Sequence, residues 1–389
     1  MIDPPKRSLP ARVEILLSTA MRNFMPGIII LFRKGRVFFV ELFGCFEKEP
    51  YEQLVYAYDQ KTNLKAIIAI HDTTLGPALG GTRMWAYTTE EEALNDVLRL
   101  SKGMTLKASA AGLNLGGGKA VIIGDSSVDK TENLLKVFGK HIQKLGGNYI
   151  TAPDVGTNQQ DMDVIASMTG HVVGTTGGSG DPSPFTAYGT RQGMRAAVKK
   201  LFGKDSLSGL TIAVQGLGNV GCWLCRYLHQ DGAKLVVTDI NSFAVEKVCR
   251  EFGAAAVNPA EIYATPCDIF APSALGAVVN AFTVPQLKCA IIAGAANNVL
   301  EKESDGDLLH RQGICYVPDY ITNAGGLINV SDQLYGYDKN RVMKKVASIY
   351  DTVLEVLAIS KEEDVPTYKA AEILAMDRIY KARKEKVGG

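Results

Sequence analysis

Thr211-Ile-Ala-Val-Gln-Gly-Leu-Gly-Asn-Val-Gly-Cys222 decides the fold. An apolar run enters Gly216, and Gly218 and Gly221 complete the spacing Gly-x-Gly-x-x-Gly, with Leu217, Asn219 and Val220 between them. In such a turn the first glycine allows the tight bend. The second lets the backbone approach a pyrophosphate, and the third lets the next helix pack closely on the strand. A helix that opens there aims unpaired N–H groups at the phosphates. Glycine-rich turns are common, so the motif counts only with its neighbours. Here a strand precedes it, a helical pattern follows, and Leu235-Val-Val-Thr-Asp239 ends a second strand at the expected distance. An acid in that place accepts hydrogen bonds from the ribose hydroxyls and repels a 2′-phosphate. Asp239 therefore argues for NAD over NADP.

Working outward, further short apolar runs follow at Asp268–Ala271, Ala290–Ala293 and Ile314–Val317. Strands alternating with helices at this spacing predict a parallel, doubly wound α/β sheet. Toward the N-terminus, Leu64–Ile70 and Ala120–Ile123 read as strands, and the glycine clusters between them as turns. Thr89–Leu106 and Lys130–Leu145 carry apolar residues at helical spacing. Thr175–Pro184, rich in glycine, serine and proline, reads as a loop and a hinge, with Thr186–Phe202 helical after it. Asp338–Arg383 reads as helical and charged on one face. The expected division is an extension over 1–42 without assigned role, a substrate and oligomerisation domain over 43–185, and a nucleotide-binding Rossmann domain over 186–325. C-terminal helices over 326–389 return to the first domain. A substrate cleft between the domains would close about the 175–185 and 323–326 regions.

Composition narrows the class. In 389 residues, 42 basic side chains balance 41 acidic ones, so no strong field is present to hold nucleic acid or an anionic membrane. The apolar stretch Gly27–Phe46 is interrupted by Arg33, Lys34, Gly35 and Arg36, and neither half is long enough to span a bilayer. Seven cysteines at irregular spacing read as reduced thiols of a cytoplasmic protein. Cys222 and Cys225 read as two thiols one helical turn apart rather than a redox or metal pair.

Two lysines stand in unusual surroundings. Lys107 closes Gly103-Met-Thr-Leu-Lys at the foot of a helix, and Lys119 follows Leu115-Gly-Gly-Gly and opens an apolar strand. A lysine between three glycines and a buried strand is desolvated, which lowers its pKa toward that of a useful base.

These blocks carry a resemblance. Thr74-Leu-Gly-Pro-Ala-Leu-Gly-Gly-Thr-Arg-Met, Gly103-Met-Thr-Leu-Lys, Leu113-Asn-Leu-Gly-Gly-Gly-Lys, Ala293-Gly-Ala-Ala-Asn-Asn298 and Pro318-Asp-Tyr-Ile-Thr-Asn-Ala-Gly-Gly326 resemble the glutamate/leucine/phenylalanine/valine dehydrogenases, from about Glu41 to the C-terminus. The resemblance implies that Lys119 activates the water that attacks an iminium, that Lys107 pairs with the substrate carboxylate, and that Asp154 handles the proton of the amino group. It implies that Gly80 and Gly81 form a turn whose backbone helps hold the carboxylate. It places Asn297, Asn298 and Asn323 near nicotinamide and substrate, and Thr186 and Ala296 against the cofactor. The chemistry agrees with this division of labour. Hydride leaves an α-carbon only beside a neutral amine, and the iminium then needs a hydroxide equivalent, so a carboxylate and a low-pKa lysine suffice without a metal.

The same resemblance assigns the side-chain pocket to Leu79, Ala152, Leu327 and Val330, all apolar, where glutamate enzymes carry a lysine at the position of Leu79. An acidic side chain would be left unpaired there, which is costly. Gly112-Leu-Asn-Leu-Gly and Asp181-Pro-Ser-Pro-Phe are similar to leucine enzymes, whereas Pro153 and Leu327 are similar to some phenylalanine enzymes. Ser273 and Ser126 replace the family's usual cysteine and proline. Leucine, valine and isoleucine lead, with phenylalanine as the alternative. A two-domain hydroxy-acid dehydrogenase is disfavoured, since none of the five histidines lies in a matching acid-paired motif. A nucleotide-binding regulatory protein without turnover is the reading from another class. The resemblance implies a homo-oligomer, often an octamer, acting on a small amino acid.

Overall fold

The computed structural model describes residues 28–33, 36–41 and 49–387; most of the predicted extension lies outside them. The chain falls into two units, Met1–Glu52 and Gln53–Gly389. In the first, β1 (Ile28–Arg33) and β2 (Arg36–Glu41) pair as an antiparallel hairpin, Arg33 opposite Arg36. The apolar stretch that the charges interrupt thus contains two strands, one ending at Arg33 and the next beginning at Arg36. No helix among the described residues is long and apolar enough to cross a membrane.

The second unit holds two sheets. The first is mixed, in the order β3-β4-β6-β5-β7, and comprises β3 (Gln53–Asp59), β4 (Leu64–Asp72), β5 (Ala78–Trp85), β6 (Gly116–Ile123) and β7 (Tyr149–Pro153). Pairing is antiparallel for β3 with β4 and β4 with β6, and parallel for β5 with both β6 and β7. Helix α1 (Glu90–Ala110) crosses from β5 to β6, and α2 (Glu132–Gln143) and α3 (Gln159–Ala166) flank β7. Thr89 caps α1 by accepting the Glu92 N–H, three glutamates occupy its first turn, and Lys107 lies in its last turn, all favourable to the helix dipole. The helix runs four residues past the expected Leu106, because Ala108, Ser109 and Ala110 are buried, Ser109 against Ala375 of the last helix.

The glycine clusters depart from the expectation of turns. Gly80 and Gly81 lie inside β5, and Gly116–Gly118 begin β6. A Cβ on Gly117 would stand 2.1 Å from the Thr105 backbone nitrogen, and one on Gly80 would stand 1.7 Å from the Gly118 carbonyl oxygen. Glycine is there because α1 and the strands approach too closely for any side chain, and the approach brings the lysine-bearing segments together.

The second sheet is wholly parallel, in the order β10-β9-β8-β11-β12-β13. Its strands are β8 (Thr211–Gln215), β9 (Lys234–Thr238), β10 (Ala255–Ala256), β11 (Ile269–Pro272), β12 (Ile291–Ile292) and β13 (Cys315–Tyr316). This is the doubly wound nucleotide-binding order, which reverses direction beside β8. The last two strands are shorter than expected, since the chain leaves the sheet for loops at Ala293 and Val317. Helices α4 (Ser183–Phe202), α5 (Asn219–Gln230), α6 (Ser242–Phe252) and α7 (Glu303–Arg311) accompany it. Helix α4 takes Ser183 and Pro184 from the expected loop, with proline in its first turn where no N–H is needed.

After the short helices α8 (Asp319–Thr322) and α9 (Gly325–Ser331), the C-terminal stretch divides into α10 (Lys339–Ala347), α11 (Ile349–Glu362) and α12 (Thr367–Val387). Pro366 accounts for the last break. Helix α12 touches both sheets' layers. Thr367 Oγ1 donates to the Tyr316 carbonyl, and Tyr368 and Lys369 reach Asp307. Further along, Ser109 Oγ donates to the Ala375 carbonyl (2.6 Å). Arg378 reaches the carbonyls of Ser109 and Leu113 and the side chain of Asn114, and Arg383 pairs with Asp72.

Candidate active site

Lys119 lies on β6 with its side chain in the sheet's interior, 6% exposed. Its Nζ stands 2.8 Å from Asp154 Oδ2, just past the end of β7. The Asp154 N–H donates to Thr157 Oγ1, which donates to the Thr82 carbonyl, so the carboxylate's backbone is pinned. Arg83 Nε also meets Asp154 Oδ2 (3.2 Å), while Arg83 Nη1 pairs with Asp96 (2.8 Å). Burial alone would raise Asp154, but Lys119 and Arg83 outweigh it and hold the carboxyl below its usual range. The free site thus carries an ionised Asp154.

Lys107 is half-buried at the end of α1, and loss of hydration pushes it down to about 8. The buried Asp319 opposes that shift, and the charges of Lys119 and Asp154 act on it too, so all four groups share one site. Asp319 accepts the Val299 N–H at 2.7 Å, and burial raises it. Lys107 Nζ reaches Asn297 Oδ1 at 3.4 Å, and the same oxygen accepts Asn323 Nδ2 at 2.8 Å. A polar chain thus runs from α1 to the segments that follow β12 and β13.

Gly80 and Gly81 lie between these groups: Tyr149 Oη donates to the Gly80 carbonyl (2.6 Å), and a Cβ on Gly81 would press on Asp154 Cβ at 2.9 Å. Leu79, Ala152 and Leu327 are buried in one apolar cluster with Leu115, Ile150 and Val173, and Val330, Met104 and Leu113 pack against it. The four residues expected to line a side-chain pocket, drawn from β5, β7 and α9, do meet. Full burial of a side chain such as Leu79, 1% exposed, is worth about 1.5–3 kcal/mol.

The glycine loop has the form expected of it. Gly216 takes φ +101°, and a Cβ on Gly221 would stand 2.0 Å from the Gly216 carbonyl oxygen. Nothing lies within 4 Å of a Cβ on Gly218. No side chain caps α5 at Asn219, so its first N–H groups face that open space with Leu217 and Val220 alongside. Asp239 Oδ2 accepts the Leu217 N–H (2.5 Å) and Oδ1 the Asn241 N–H (2.8 Å), which sets its carboxylate beside the loop. Asn323 Oδ1 is buried without a partner among the described residues, an acceptor suited to an amide such as a nicotinamide's. These features fit a dinucleotide. Ala296 is buried, and its carbonyl accepts Asn323 Nδ2 at 3.2 Å. Asn298, at φ +52°, accepts the Ala277 N–H on its carbonyl, and Thr186 Oγ1 donates back to Pro182 within α4.

Residues 53–171 match the family model for the Glu/Leu/Phe/Val dehydrogenase dimerisation domain, and residues 177–247 and 237–387 match that for glutamate/leucine/phenylalanine/valine dehydrogenase. The chain belongs to this family. It is similar to the leucine dehydrogenase of Geobacillus stearothermophilus, 57% identical over 348 residues, which is 89% of this chain and 95% of that one. The phenylalanine dehydrogenase of Bacillus thermotolerans is 46% identical over 349 residues, 87% of this chain and 91% of that one. Among solved structures, the L-tryptophan dehydrogenase from Nostoc punctiforme superposes with a TM-score of 0.80 at 46% identity, covering 88% of this chain and 99% of that one. This chain is thus an amino-acid dehydrogenase with two α/β domains, one of them the family's dimerisation domain, and the family implies a nicotinamide cofactor.

Sequence reasoning passed over Arg83 and Asp319. Arg83 was within reach: Gly81 pairs with Ala152 and Thr82 with Pro153 in the parallel ladder, so the next step sets Arg83 beside Asp154. Asp319 gave no such signal, because its closeness to Lys107 arises only when α8 docks on α1.

Proposed function

We propose that the protein catalyses the reversible, NAD-dependent oxidative deamination of a branched-chain L-amino acid, leucine with valine and isoleucine, to its 2-oxo acid and ammonia. The observation that carries this reading is the apolar cluster of Leu79, Ala152 and Leu327 next to the Lys119–Asp154 pair. A carboxylate side chain in that cluster would be desolvated without a partner, at a cost of about several kcal/mol. A branched aliphatic chain would only displace water.

Lys107 receives the substrate carboxylate, and the backbone of Gly80 and Gly81 completes that end of the pocket. Asp154 takes a proton from the substrate ammonium and leaves the amine neutral. The bound nicotinamide supplies the hydride acceptor. Asn297, Asn298 and Asn323 orient the groups on that side, and Thr186 and Ala296 flank the cofactor. Lys119, having released its own proton to solvent, then takes a proton from the water that attacks the substrate's iminium carbon, and its place 2.8 Å from Asp154 lets the two share protons through the later steps. The loop Gly216–Gly221 would hold the pyrophosphate, and Asp239 the ribose, which favours NAD over NADP. A homo-octamer, a cytoplasmic location, and hinge closure about 175–185 and 323–326 belong to the same proposal.

Leu327 and Pro153 support phenylalanine as a second substrate reading. The test is a panel of leucine, valine, isoleucine, phenylalanine and glutamate with NAD or NADP, followed by NADH or NADPH absorbance. Branched-chain amino acids should give the highest kcat/KM, with glutamate and NADP each at least about a hundredfold poorer. A preference for phenylalanine would move the assignment to the second reading, and turnover of glutamate would end both.

A further inference from the structure

Cys267 and Cys289 stand apart from every group named so far. Each lies two residues ahead of a strand of the parallel sheet, for β11 begins at Ile269 and β12 at Ile291, and those two isoleucines are register partners. Carrying the register back two places sets Cys267 opposite Cys289. The Cys267 N–H donates to the Lys288 carbonyl at 3.2 Å, so the two segments are still paired there. Neighbouring strands run about 4.8 Å apart, within the roughly 4.4–6.8 Å between Cα atoms that a disulfide spans. Both side chains pack against the same apolar cluster and so lie on one face, and neither is fully buried. The nearness of the two thiols pushes Cys267 up and holds Cys289 below the usual thiol value.

We propose that Cys267 and Cys289 form a two-electron redox site that a peroxide closes to an intrachain disulfide. The Cys289 thiolate attacks one peroxide oxygen, the O–O bond breaks, and the departing hydroxide takes a proton to leave as water. Cys267, losing its proton, then attacks the sulfur of the resulting sulfenic acid. The S–S bond forms, the S–O bond breaks, and a second water leaves. Two thiols are oxidised and one peroxide is reduced to two waters. Of the other described thiols, Cys225 and Cys315 are pushed up to about 12 by burial, and Cys222 donates to the Leu217 carbonyl.

The closed ring would contain Ser273–Gly276. Ser273 N–H bonds the Gln215 carbonyl at 2.7 Å, and a Cβ on Gly216 would stand 2.5 Å from Ala274 Cβ. A cross-link here restricts the unfolded chain and ties down the segment that backs the nucleotide loop. The full-length protein, treated with a small excess of hydrogen peroxide and digested with trypsin without reduction, should yield peptide 251–288 joined to peptide 289–302. A thiol reductant should separate them. The melting temperature should rise on oxidation in the unaltered protein and stay put in Cys267→Ser and Cys289→Ser, each checked first for dehydrogenase activity in the reduced state. Oxidation at Cys222 or Cys249 with Cys267 and Cys289 still free to alkylate would overturn the proposal. The peptide map of the unaltered protein gives that answer even if a serine variant fails to fold.

Discussion

At the scale of single residues, Lys107 and Lys119 are set apart by their partners. Lys119 faces a carboxylate at 2.8 Å, whereas Lys107 has lost water and is pushed down to about 8. An anion that binds Lys107 needs its ammonium form. Below pH 8 that form is already present, and above it each proton lost must be put back before the anion binds. The inhibition constant of 4-methylpentanoate, a substrate-shaped carboxylate without an amine, should be flat below about pH 8 and rise up to about tenfold per unit above it. Lys107→Arg, whose charge persists, should remove the rise; a flat profile in the unaltered protein would detach Lys107 from the carboxylate. Lys119→Ala and Asp154→Asn should each lower kcat by about 10²–10⁴ while the Kd for NADH, followed by its fluorescence, stays within about twofold. A variant that kept its kcat would have no part in the proton transfers.

At the scale of elements, α1 matters through its C-terminal turn. Its last carbonyls, those of Lys107, Ala108 and Ser109, accept the N–H groups of Ala111, Leu113 and Gly112, and Arg378 from α12 adds hydrogen bonds to the carbonyls of Ser109 and Leu113 at 3.3 and 2.7 Å. Charged hydrogen bonds of this kind are worth about 1.5–3 kcal/mol each. Arg378→Ala should loosen the turn that carries Lys107 and raise KM for the amino acid about tenfold, with kcat and NADH affinity nearly unchanged. Arg378→Lys, which can still donate to Leu113, should restore part of the loss. A drop in kcat together with unchanged KM would mean that the arginine acts elsewhere.

On the scale of the whole molecule, the first half of α12 is tied to Tyr316 and Asp307 of the parallel-sheet layer, and its second half to Ser109, Asn114 and Asp72 of the mixed-sheet layer. Removing residues 376–389 would leave the first set and delete Arg378 and Arg383 of the second. The shortened protein should still bind NADH and lose its affinity for 4-methylpentanoate; retention of both would show that α12 braces nothing. Much of this architecture was readable in advance. The strand, glycine loop and Asp239 announced the parallel sheet because each local signal there agrees with its tertiary role. The glycines at 80–81 and 116–118 misled because a turn and a crowded strand call for the same residue, and only the position of Thr105 tells them apart. Asp319 stayed hidden because no local pattern predicts which carboxylate a docking helix will bring beside a lysine.

The two-ended attachment of α12 also bears on recombining this chain with its relatives. A hybrid that exchanged only the segment from Thr186 to Gly325 would present Thr367, Tyr368 and Lys369 with foreign counterparts of Tyr316 and Asp307, although the splice points lie far from that helix in sequence. Exchanging the helix as well would shift the mismatch to Asp72 and Asn114. Neither choice keeps both ends native, so the helix and its two docking surfaces are inherited together or repaired together.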